Sequence, residues 1–309
     1  MENKWSFVKF KFENVQIARF ARINKAIMEE KRKIVVVTAH PDDETFGMGG
    51  TIAKYHAEGV EISIICATKG EVGEADAELL AQYQSMADLR EAEMRCAMQV
   101  LGIHEFYFLG YRDSGMPGSP ENTHPQAFIQ APLEKTGTDI AFYLRKIKPN
   151  IVLTFDPMGG YGHPDHIHTY RSVVKALELA ADPNIYIAGL EPFHPERVFL
   201  HTFPRKFMRV VVKLMPLVGK DPTKFGKNGD IDFVKIMQSD FPIHARIRYG
   251  KYAAIREQAS ACYRSQGGDQ QSGYLISWLQ RLFTSSEGYM QYFPEPTSSK
   301  IGDDLFAKR

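Results

Sequence analysis

Short apolar runs, separated by polar turns, set the pattern of this chain. Ile34–Val37 is apolar without a helical period and reads as a buried strand. Val60–Ala67 repeats it, and Gly47, Gly49 and Gly50 lead into a helix over Thr51–Glu58. Strand, helix and strand in that order form a βαβ unit and predict a parallel sheet. Residues 77–101 read as one long helix, with Met86, Leu89, Met94, Ala97, Val100 and Leu101 on its buried face and Gly102 as its stop. Glu105–Leu109, Ile151–Phe155 and Val198–Phe203 are further strands; Leu133–Lys146, His163–Ala181 and Lys251–Arg264 are further helices. Residues 114–132, rich in Gly, Pro, Asn and Ser, form a surface loop. Trp278, Leu279, Leu282 and Phe283 make a last helical face, and the tail beyond Pro294 is expected to be loose. The fold class is α/β.

Composition narrows this little. At 309 residues, 44% hydrophobic and 24% charged, the chain has the make-up of a globular protein with a sizeable core. A net charge of +1 argues against broad nucleic-acid binding. The N-terminus lacks the apolar core of a signal peptide, and no run approaches about 18 apolar residues, so the expected location is cytoplasmic. Cys66, Cys96 and Cys262 are odd in number and far apart, which suggests free buried thiols in a reducing compartment. The basic and apolar stretch 205–220 reads as a core element with a solvated edge in preference to a membrane-surface contact.

The polar turns carry the chemistry. His40, Asp42, Asp43 and Glu44 fall within five residues at the carboxyl end of the first strand, where open α/β sheets place their ligands. Three neighbouring acids repel unless a cation or water neutralises them, and His with Asp suits zinc. The strand Ile151–Phe155 is followed by a second such turn, carrying His163, Asp165 and His166. The glycines after the first turn do not make a dinucleotide fingerprint, because Ile52 stands where its last glycine belongs.

Ala39-His40-Pro41-Asp42-Asp43-Glu44 with Gly162-His163-Pro164-Asp165-His166 resembles the zinc-dependent N-acetylglucosaminyl de-N-acetylases of the PIG-L/LmbE family. Tyr111–Met116 and Asp156–His166 are similar to the branch that acts on mycothiol precursors and conjugates. The resemblance runs from Ile34 to Leu177 and more loosely to Gln266. It implies a Rossmann-like sheet with helices on both faces and an elaborated C-terminal part. Residues 1–32 would be an extension packing on the core, 33–203 the catalytic core, and 204–309 the substrate-selecting part of the same domain.

His40, Asp43 and His166 then provide three metal ligands and leave a position for water, with zinc expected and ferrous iron accepted by the same donors. Asp42 is the candidate general base. His163 would stabilise the oxyanion and protonate the leaving amine, and Asp165 would hold an imidazole in its tautomer. Glu44 would support the ligands from behind, and His168 points away from them. By resemblance Tyr161 reaches the substrate carbonyl, and Arg90 and Asp113 bind sugar hydroxyls or neighbouring groups. One departure stands out: where the branch carries His-x-Ser-Gln, this chain has Tyr263-Arg264-Ser265-Gln266. Residues 205–240 have no counterpart, so the mycothiol substrate is not carried over. The implied reaction removes acetyl from an N-acetylglucosaminyl conjugate, a small-molecule partner. The alternatives are an amidase on a glucosamine-linked amide, a membrane-associated glycolipid deacetylase and a non-catalytic metal sensor. A homo-oligomer is left open.

Overall fold

A computed structural model describes residues 31–202, 241–269 and 285–307, with short pieces at 212–213, 215–218, 221–223 and 234. Lys33–Arg309 forms one compact unit, distinct from Met1–Arg32. The expectations for the extension 1–32, for most of 205–240 and for the face at Trp278–Phe283 lie outside the described residues.

Among the described residues, seven strands make one sheet: β1 (Lys33–Thr38), β2 (Glu61–Thr68), β3 (Glu105–Tyr111), β4 (Ile151–Phe155), β5 (Arg197–Thr202), β6 (Ala245–Arg248) and β7 (Ser286–Phe293). Their order is β3-β2-β1-β4-β5-β7-β6. The first five pair in parallel, and β7 runs antiparallel to both β5 and β6. The longer helices are α1 (Asp43–Ala57), α2 (Met86–Leu101), α3 (Leu133–Ile147), α4 (Pro164–Ala181) and α5 (Ala253–Ala261). The expected mostly parallel α/β sheet is therefore present, and residues after 204 complete it with β6 and β7.

Alternation along β1 divides the core. Ile34 and Val36 pack with Met48 and Ile52 of α1, Met94 and Met98 of α2, and Tyr263. Val35 and Val37 pack with Ile140 and Leu144 of α3 and Val173 and Leu177 of α4. Burying each such side chain is worth about 1.5–3 kcal/mol, so helices cover both faces. β1 pairs with β2 on one side and β4 on the other. Chain connections diverge at that point, and the loops after β1 and β4 border a crevice.

Several boundaries differ from expectation. α1 begins at Asp43, not Thr51, and runs through its glycines. A Cβ at Gly50 would lie 2.2 Å from the Tyr249 ring, so the absent side chain permits close packing instead of a loop. The helix expected over 77–101 is a single turn, Ala77–Leu80, and then α2, which starts afresh where Ser85 Oγ accepts the Asp88 N–H. The tail beyond Pro294 is anchored: Leu305 is fully buried, and its N–H donates to Tyr55 Oη at 2.7 Å. Two of the cysteines are also not free. Cys96 of α2 and Cys262 after α5 form a disulfide with Cα atoms 5.7 Å apart, while Cys66 is a free buried thiol. Packing of α5 on α2 brings together residues 166 positions apart, a proximity that spacing alone does not reveal. Among the described residues, no helix is long and apolar enough to cross a membrane.

Candidate active site

Buried strands end and polar turns begin at the same edge of the sheet. After β1, the Asp42 carbonyl accepts the N–H groups of Thr45 (3.0 Å) and Phe46 (2.8 Å), launching α1 directly from the acid pair. Asp43 Oδ2 turns back to accept the N–H of His40 at 2.7 Å and of Ala39 at 3.2 Å. The acids thus sit at a helix N-terminus, where the dipole favours them. Asp42 has φ 119°, a conformation L-residues rarely adopt.

After β4, Asp156 Oδ1 accepts from Met158 N–H (2.9 Å) and Gly160 N–H (3.1 Å), shaping the turn that leads to His163. A Cβ at Gly159 would meet the His166 Cβ at 2.7 Å, so this close approach needs glycine. His163 caps α4, its Nδ1 accepting the Asp165 N–H at 3.1 Å.

The imidazoles and carboxylates converge. His166 stacks on Phe155, ring centroids 4.0 Å apart, and its Nδ1 lies 3.2 Å from the Gly159 carbonyl. A carbonyl only accepts, so Nδ1 donates to it and Nε2 is the ring nitrogen turned toward Asp43. That Nε2 is buried, 3.0 Å from Asp43 Oδ1, yet has no hydrogen-bond partner. His40 is arranged the same way: Nε2 lies 3.1 Å from Asp165 Oδ2, and Nδ1 lies 3.5 Å from Asp43 Oδ2. Asp165 is therefore partnered with the His40 imidazole, and it also accepts the Ser114 N–H at 2.9 Å. Ligand atoms of His40, His163 and His166 lie within 4.8 Å of one another, as do those of His40, Asp113 and Asp165. Two imidazole nitrogens facing one carboxylate, each ring held from behind, is a donor set that fits a divalent metal.

Electrostatics follow from burial and crowding. Burial opposes charge on Asp43, but His166 and His40 outweigh it and hold the carboxyl well below the usual range. Burial pushes Asp42 up to about 8, against the pull of the Arg90 guanidinium. His163 is held well below the ordinary histidine range by burial and then by its imidazole neighbours, so it is neutral. Burial raises the Tyr161 phenol, which remains a hydroxyl.

A cavity of about 680 Å³ opens over this cluster, lined on the core side by His40, Asp42, Arg90, Asp113, Tyr161 and His163. Its lining also includes Val72, Glu74, Asp76, Met116 and Arg264–Gly267. The first six were assigned site roles from the sequence, and Asp43, Asp165 and His166, assigned with them, join the cluster through their contacts with His40 and with each other. His168 does not; it packs edge-on against Phe128 at 4.6 Å. Arg90 is tied first to the turn, its Nη2 lying 3.0 Å from Asp42 Oδ2. Sequence reasoning missed Asp156 and Ser114 as supports, although Asp156 directly follows a strand and precedes Pro-Met-Gly-Gly. It also missed Glu93, which accepts from both the N–H (2.7 Å) and Oγ (2.6 Å) of Ser265 and so fixes the cavity wall.

A sequence model of the family described as GlcNAc-PI de-N-acetylase (PIG-L) matches residues 35–177. A 1D-myo-inositol 2-acetamido-2-deoxy-alpha-D-glucopyranoside deacetylase of Thermobifida fusca is 32% identical over 289 residues, covering 89% of this chain and 99% of the relative. The chain belongs to the PIG-L family. Among solved structures, the N,N'-diacetylchitobiose deacetylase of Pyrococcus horikoshii superposes on this PIG-L protein with a TM-score of 0.58 at 22% identity, covering 85% of this chain and 84% of the other. The 4-carboxy-2-hydroxymuconate hydratase GalB of Pseudomonas putida superposes with a TM-score of 0.57 at 19% identity, covering 86% and 98%. A deacetylase and a hydratase share the architecture, so the fold alone does not choose the reaction.

Proposed function

We propose that this PIG-L protein is a metal-dependent hydrolase that removes acetyl from an N-acetylglucosaminyl conjugate, giving acetate and a free amine. The observation that carries the reading is the buried, unpartnered His166 Nε2 facing Asp43 beside the cavity-lining Asp42. The named activity of the sequence relatives supports the choice of substrate class. Held by His40, Asp43 and His166, zinc (or ferrous iron) would polarise the amide carbonyl and lower the pKa of water.

The side chains supply the rest. Asp42 takes a proton from the attacking water, and an affinity near neutrality suits that task. His163, with Nδ1 occupied as an acceptor, carries its proton on Nε2 and donates it in a hydrogen bond to the developing oxyanion. Because His163 is neutral at rest, the proton required by the leaving amine is drawn from Asp42. Tyr161 adds a second donor, its hydroxyl, at the carbonyl. Asp165 keeps the His40 ring turned so that Nδ1 faces Asp43.

Asp113 offers a carboxylate to sugar hydroxyls, and Arg90 contributes through the N–H groups that Asp42 and Pro41 leave over. The wall at Arg264–Gly267 lets residues after 204 select the aglycone. We place the protein in the cytoplasm. Thiol trapping in intact cells tests this, since a Cys96–Cys262 bond found fully oxidised there argues for another compartment.

The functional experiment measures acetate and primary amine from N-acetylglucosaminyl-inositol, N,N'-diacetylchitobiose and a lipid-linked N-acetylglucosaminide, using zinc-loaded protein. Equimolar acetate and amine from at least one of them supports the reading, and zinc-replete protein that cleaves none of them contradicts it.

A further inference from the structure

We propose that Tyr263 and Glu44 are positioning residues for Asp42, holding its backbone in the positive-φ turn from which its carboxylate faces the cavity. The inference rests on the reading of Asp42 as general base. It begins with the strain: at φ 119° and ψ −32°, Asp42 must be kept in place by its surroundings. Its carbonyl is engaged by the first turn of α1, and its carboxylate by Arg90. Its remaining polar group is the amide, and Glu44 Oε2 accepts that N–H at 3.2 Å.

Glu44 is two residues further on and fully buried, so its reach back depends on what fixes its other oxygen. Oε1 receives the Thr45 hydroxyl at 2.5 Å and the Tyr263 hydroxyl at 2.6 Å. Tyr263 arrives from 219 positions away and is itself fully buried. The segment that carries it is fastened on both sides. Cys262 is bonded to Cys96, and Ser265 is held by Glu93. Phe46 meets the Tyr263 ring edge-on at 5.8 Å.

Neither Glu44 nor Tyr263 lines the cavity, so neither touches substrate. Their hydrogen bonds end on the one site residue whose backbone is strained. The chain of contacts thus runs from the C-terminal part, through a phenol and a buried carboxylate, to the amide of the base. It also gives the tyrosine at 263, where the sequence departs from the expected histidine, a defined partner.

The test compares Tyr263→Phe with Tyr55→Phe. The second variant removes a buried hydroxyl that serves Asp304 and the Leu305 N–H, on the same face of the sheet but without a link to Asp42. In zinc-loaded Tyr263→Phe, kcat should fall about tenfold to a hundredfold, with KM and zinc affinity held within about twofold. Hydrogen exchange at the Asp42 amide, followed by NMR, should quicken in that variant alone. Tyr55→Phe should lose stability and keep its kcat.

An unchanged kcat in Tyr263→Phe overturns the inference, as does an equal loss of kcat in Tyr55→Phe. If the wild type cleaves no substrate, the functional reading fails by itself. The exchange measurement then still decides: unaltered protection of the Asp42 amide overturns the positioning role, and selective loss of protection supports it.

Discussion

Arg90 Nη2 lies 3.0 Å from Asp42 Oδ2 and donates to the Pro41 carbonyl at 2.5 Å, so one guanidinium nitrogen grips both the Asp42 carboxylate and the turn that carries it. The Arg90 cation opposes the burial that pushes Asp42 up to about 8. Arg90→Met removes that opposition, and Asp42 then keeps its proton to higher pH. A base works only when deprotonated, so the acid limb of kcat/KM should move to higher pH. Rate profiles of the two proteins check this, and an unmoved limb in an active variant contradicts it.

Metal should bind the folded protein through residues that are already arranged. At a hundredfold excess over Kd, zinc should stabilise the metal-free protein by about 2.7 kcal/mol, a rise of several degrees in Tm. Asp43→Ala and His166→Ala should abolish the rise, because each removes one side of the 3.0 Å pair. Thermal melts with and without zinc measure the effect.

His201 lies at the end of β5, held down to about 4 by burial and by the Arg256 charge. Above about pH 6.5 both folded and unfolded chains carry it neutral, so it has no effect on stability there. As pH falls from about 6.5 to 4, the unfolded chain gains a proton that the folded chain refuses. Stability is lost over that window, by about 3 kcal/mol for this group. His201→Gln should flatten the dependence, as read by urea unfolding at a series of pH values.

The Cys96–Cys262 bond closes a long loop and ties α2 to the segment bearing Tyr263. Its reduction, or Cys96→Ser, should cost about 2–4 kcal/mol. Denaturant titration with and without reductant provides the check.

The sheet and the site were legible because their signals are local. β1 and β4 are buried on both faces and therefore read as unbroken apolar runs, each followed by its own polar turn. Asp43 and His166 could be paired once two such turns were seen to share one sheet edge. What escaped was held by contacts distant in sequence. β7 pairs antiparallel between β5 and β6, and its Ser286–Phe293 carries polar residues that hide the strand pattern. Gly47, Gly49 and Gly50 read as a path into a helix, yet Gly50 lies within α1, where the Tyr249 ring packs against it. Tyr263 could be marked as a departure, but Glu44 as its partner required the fold.

Asp42→Asn tests the central claim most directly. Asparagine keeps the size of the side chain and leaves His40, Asp43 and His166 untouched, but it cannot accept the water's proton. Amine release from the substrate that the wild type cleaves should fall about 10²–10⁴-fold, while the bound zinc per chain stays the same. An active Asp42→Asn protein with its zinc in place would contradict the account.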